Sequence, residues 1–138
     1  MPSTESHAAP ASFDAYYAAV SDASWRTLIS TPWSGEEHIN TLELRAALLA
    51  VHWCLSYPSS LNSRVLLLLD STVAFFALWK GRSSSPKMLL VIRKINALLL
   101  AGGIALLPGW LPSAMNPADG PSRLRPDERP LSQGRIAA

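Results

Sequence analysis

Between residues 38 and 112 the hydrophobic pattern changes period several times, and each change marks an element. In "HINTLELRAALLAVHWCLSY", Leu44, Leu48, Val51 and Leu55, with Ala47 between them, recur at helical spacing. Asn40 is placed to cap this helix with Glu43, three residues on, as its capping-box partner; Pro58 and the serines after it end it. "SRVLLLLD" is a short unbroken apolar run whose length and flanks predict a fully buried strand, the kind found in parallel sheets covered on both faces. "STVAFFALWKG" predicts a short helix stopped at Gly81. After "RSSS", "PKMLLVIRKINALLLAGG" predicts a second covering helix with Pro86 in its first turn and two glycines at its end, and "IALLPGWLP" predicts a last strand.

Upstream, "AYYAAVSDAS" is a short, largely apolar run ending at Asp22, and "WRTLISTPW" is a second strand-like run closed by Pro32. The two are expected to form a hairpin or neighbouring strands. Residues 1–13 show no period of two or 3.6 and are expected to be a flexible leader, while residues 124–138 form a tail rich in proline and arginine. Strands and helices in this order predict one α/β domain over residues 14–123, a mixed sheet flanked by helices. No internal repeat is visible.

Composition agrees with one domain that has a real core: 138 residues, 49% hydrophobic and 16% charged. The net charge of +2 is too small to identify a polyanion partner. Its distribution says more, because Lys80, Arg82, Lys87, Arg93 and Lys94 lie in a window without an acid, and Arg123, Arg125, Arg129 and Arg135 crowd the tail. A solvated face accounts for these cations as well as a phosphate backbone does. The single cysteine, Cys54, excludes a disulfide or a cysteine metal site within the chain. Glu5 and Asp14 interrupt the amino-terminal stretch, and residues 95–112 are broken by Asn96, Gly102, Gly103 and Pro108, so the expectation is an intracellular protein that is neither secreted nor membrane-bound.

Four of the ten acidic residues fall where predicted elements begin or end: Asp22 after the first strand, Glu43 in the first turn of the first helix, Asp70 after the central strand and Asp119 after the last. Ligands of α/β sheets bind at the carboxyl ends of the strands, where these acids would meet. Unpaired carboxylates there raise one another's pKa and call for cations, and hard oxygen donors suit Mg2+ or Mn2+. Each acid also has an ordinary reading: Asp70 as a cap for the next helix, Glu43 as half of the capping box, Asp22 and Asp119 in turns. Capping alone does not require the four to share one edge.

In order, "SDAS", "HINTLELRAAL", "VLLLLDSTVAFFALWKGRSSSP" and "WLPSAMNPADGPSR" resemble the blocks of the ribonuclease H domain of retroelement polymerases, most closely gypsy-like and DIRS-type elements. The resemblance runs from about Ala15 to Arg123, and "NPADGPSR", with its Ala-Asp and Ser-Arg pairs, is its most specific part. It implies a ribonuclease H-like fold and a metal-dependent endonuclease that cuts the RNA strand of RNA:DNA hybrids. It also implies two divalent ions (Mg2+ or Mn2+) held by Asp22, Glu43, Asp70 and Asp119, with Lys80, Arg82, Lys87, Arg93 and Lys94 toward the hybrid backbone. A polymerase domain in cis or in trans is the implied protein partner.

The departures define the alternative. Only twenty residues separate Asp22 from Glu43, too few for the three-strand meander the family fits there, so a shortened first hairpin is expected. An eroded sheet edge would place Asp22 less rigidly, and about 1 Å of misplacement can cost about a hundredfold in rate. No histidine follows Leu55, so the late-loop histidine of some ribonucleases H is absent. The competing reading is a degenerate, non-catalytic module of the same fold, kept for packing or nucleic-acid binding.

Overall fold

The computed structural model describes residues 20–21 and 24–123. The leader, Asp22 and the tail lie outside the described residues. Helix α1 spans Ile39–Leu55 and strand β1 Arg64–Leu69, followed by α2 at Thr72–Lys80, α3 at Pro86–Gly102, β2 at Ala105–Trp110 and a single turn, α4, at Asp119–Ser122. The result is an α/β arrangement built on a two-stranded sheet, in which β1 and β2 are parallel and in register from Arg64 opposite Ala105 to Leu69 opposite Trp110.

The expected elements from residue 39 onward form; of the upstream hairpin, residues 15–19 and 22–23 lie outside the described residues, and the second strand does not form among those described. Val20 and Ser21, at the end of the run expected to be the first strand, are helical, and residues 24–38 join no ladder. The side chains explain part of this. Trp25 turns its indole N–H back to the Val20 carbonyl at 3.1 Å, and Ser30 Oγ donates to the Pro121 carbonyl at 2.8 Å. The segment is thus tied by side chains rather than by strand pairing. The capping box is also replaced: His38 is the N-cap of α1, and its Nδ1 accepts the Asn40 N–H at 3.2 Å. Asn40 is therefore inside the first turn, and Glu43, one turn further on, has no cap to complete.

The later helices start and stop as their end residues dictate. Ser71 and Ser85 cap α2 and α3 through their hydroxyls, and Gly81 and Gly103 end them at φ +66° and +62°. At φ +62° the turn into β2 favours glycine at Gly103, and a Cβ there would also lie 2.3 Å from Asn62 Oδ1 and displace that side chain.

Leu44, Ala47 and Val51 of α1, Ala74 and Ala77 of α2, and Met88, Val91, Ile92 and Ile95 of α3 make one buried cluster, with Leu67 and Leu106 of the strands packed against it. Three helices thus cover one sheet face. The other face is not covered among the described residues: Leu66 and Leu107, opposite each other in the register, remain 50% and 47% exposed. Among the described residues β1 is therefore covered on one side, not on both as expected.

Helices α1 and α3 lie side by side in the same direction, because the charge of Lys87 reaches Glu37 at their starts and Leu55 lies against Gly102 at their ends. Both strands begin at those far ends, where the Asn62 N–H donates to the Gly102 carbonyl at 2.9 Å. They run back, so the carboxyl ends of β1 and β2 sit by the amino-terminal turns of α1 and α3.

Candidate acidic site at the carboxyl edge

Asp70 follows β1 at this edge, half-buried. It does not cap α2. That work is done by Ser71, whose Oγ accepts the Ala74 N–H at 3.2 Å. Two bonds from the far strand and its loop hold Asp70 instead: Trp110 Nε1 donates to its backbone carbonyl at 3.2 Å, and Asn116 Nδ2 donates to Oδ2 of its carboxylate at 3.0 Å. The ladder itself continues one residue past β2, through the Leu111 N–H to the Leu69 carbonyl at 3.0 Å. The base of Asp70 is therefore rigid.

Glu43 is brought to the same place by α1. Burial pushes its carboxyl above the usual range, and the negative charge of Asp70 pushes it further. The two carboxylates are thus near enough at the sheet edge for the charge of one to act on the other, and neither caps a helix.

Asp119 begins α4, and its N–H donates to the Asn116 carbonyl at 3.1 Å, so it is one short turn from the residue that holds Asp70. Its carboxylate is turned to Arg123, whose Nε and Nη2 reach Oδ1 at 3.3 and 3.2 Å. Among the described residues no three His, Cys, Asp or Glu side chains are grouped so as to hold a metal ion. The structure brings Glu43 and Asp70 together, places Asp119 nearby in an ion pair, and says nothing of Asp22.

Glu43 and Asp70 both offer carboxylate oxygens, the donor type that hard divalent cations take, and a cation between them would relieve their repulsion. A fuller shell would need Asp119 released from Arg123.

The five cations are spread more widely. Lys80 and Arg82 border an open groove of about 670 Å³ that is also lined by Thr72, Val73, Phe76 and Met88. The Lys80 ammonium lies 5.5 Å from the centre of the Phe76 ring. Trp79, about one-third exposed, has its ring nearly parallel to that of Phe75. Lys87 stands at the start of α3 near Glu37, which is itself held by a bidentate pair with Arg45 that keeps its carboxyl below the usual range. Arg93 and Lys94 are exposed further along α3.

Two residues of this edge had not stood out in the sequence as parts of a site. Ser71 had a legible signal, since serine directly before a helical period is a cap. Asn116 was visible only inside the "NPADGPSR" block. The chain matches no protein-family model, no curated protein and no solved structure. Among the described residues no helix is long and apolar enough to cross a membrane.

Proposed function

We propose that the chain is a ribonuclease H-like domain that cleaves the RNA strand of RNA:DNA hybrids with Mg2+ or Mn2+, through Asp22, Glu43, Asp70 and Asp119. The observation that carries this reading is the Glu43 and Asp70 pair: two carboxylates within electrostatic reach of each other at the carboxyl edge of a parallel sheet, with the helix caps supplied by His38 and Ser71. A like-charged pair without a capping duty is a cost to the fold unless a cation uses it. A divalent ion bound there would supply Lewis-acid stabilisation of a phosphodiester transition state. The chain's own contribution is orientation: Trp110 and Asn116 hold Asp70, and α1 carries Glu43 to it. Lys80 and Arg82, which line an open groove with Thr72 and Phe76, are suited to a phosphate backbone.

The non-catalytic module is the second reading, favoured by the ion pair between Asp119 and Arg123 and by the absence of strand pairing in residues 24–38. Incubation with an end-labelled hybrid separates the two. The nuclease yields RNA-strand fragments only when Mg2+ or Mn2+ is present. The module binds the hybrid and leaves it whole in either metal.

A further inference from the structure

We infer that Asn116 is a positioning residue for Asp70, holding its carboxylate in one orientation beside Glu43; the assignment rests on the reading of Asp70 as a site acid. Both ends of the Asn116 amide are committed. Its Oδ1 accepts the Ala118 N–H at 2.9 Å and closes an Asx turn. With the oxygen fixed there, the amide can turn only its NH2 toward Asp70, where Nδ2 donates to Oδ2 at 3.0 Å. The reversed amide would set NH2 against N–H and oxygen against carboxylate, so the chemistry of the two partners fixes the orientation. The backbone of the same residue accepts the Asp119 N–H at 3.1 Å and donates to the Ser113 carbonyl at 3.1 Å, which anchors the residue in its loop.

The need for such a donor follows from the pair itself. Repulsion from Glu43 favours swinging the Asp70 side chain away, and a hydrogen bond to Oδ2 opposes that motion. A lysine or arginine would hold the carboxylate more strongly but would also neutralise it. A neutral amide holds it and leaves the pair's negative charge available to a cation. Trp110 fixes the backbone of Asp70, and Asn116 fixes its side chain.

The test uses the full chain with Asn116→Ala and Asn116→Asp. The aspartate variant keeps an acceptor for the Ala118 N–H, and hence the turn, but has lost the donor to Asp70. Three-bond couplings that report the Asp70 χ1 angle are read first, without metal. The expected result is one rotamer in the wild type and rotamer averaging in both variants. Cleavage of a labelled hybrid in Mn2+ is read second, with a fall in kcat of about 10–100-fold, the usual cost of losing a group that orients a ligand, and little change in KM. A single, wild-type Asp70 rotamer and an undiminished rate in Asn116→Asp would overturn the assignment, leaving Asn116 as a turn residue only. The coupling measurement decides the positioning role even where the wild type fails to cleave, a result that counts against the nuclease reading alone.

Discussion

Replacing Ser71 with alanine removes the hydroxyl that accepts the Ala74 N–H at the start of α2. Losing a serine cap costs about 1 kcal/mol, within a range of about 0.5–2, and for a domain of this size 1 kcal/mol corresponds to about 3–6 °C in Tm. One residue earlier, Asp70→Asn is expected to behave differently. The amide keeps the size of the carboxylate and can present its own oxygen to Asn116 Nδ2, so the 3.0 Å bond is preserved in kind. What disappears is the charge that pushes on Glu43. Thermal unfolding followed by circular dichroism at pH 7, without divalent metal, should therefore show Ser71→Ala melting several degrees below the wild type and Asp70→Asn melting level with it or above. A Ser71→Ala protein that melts with the wild type would refute the cap assignment and return that duty to Asp70. An Asp70→Asn protein that melts clearly lower would refute the claim that the two acids repel each other.

Because burial and Asp70 raise the Glu43 pKa from its ordinary value of 4.5, the folded state keeps this proton to higher pH than the unfolded chain does. The group's contribution to stability is thus present below about pH 4.5 and is lost as pH rises through the raised folded value. Glu43→Gln should flatten that fall, matching the wild type near pH 4 and exceeding it at pH 7 in urea unfolding; a variant as steep as the wild type contradicts the shift. In hybrid binding, replacing both Lys80 and Arg82 with alanine should reduce the slope of log affinity against log salt by up to about 2, near 0.9 per phosphate neutralised. An unchanged slope would make the two cations solvated surface charges.

The elements from residue 39 onward were legible because each carries its own punctuation. Pro86 and Gly103 bracket α3, Ser71 and Gly81 bracket α2, and five consecutive apolar residues after Arg64 can hardly be anything but strand. The errors lie where two donors or acceptors compete for one job. Asn40 and Glu43 fit the capping pattern, yet the imidazole of His38 reaches the Asn40 N–H first, and no pattern of residue types shows which side chain will arrive. The strand expected at "WRTLISTPW" has no pairing partner among the described residues, where Val20 and Ser21 at the end of the preceding run are helical. Sequence spacing singled out the acids without their partners. That Asp70 would be tied to Asn116, and Asp119 to Arg123, depends on how the loop after β2 returns to the sheet edge, a long-range contact that local periodicity does not encode.

On the proposed reading, Asp70 stands at the sheet edge to serve chemistry rather than to start a helix. The decisive measurement is cleavage of an RNA:DNA hybrid, labelled on the RNA strand, by the wild type and by Asp70→Asn, each with Mg2+ and with a chelator. Metal-dependent fragments are expected from the wild type, none with the chelator, and loss of cleavage in an Asp70→Asn protein that still folds and melts at least as high. Cleavage undiminished in Asp70→Asn, or a wild type that leaves the hybrid intact in Mg2+, would contradict that reading.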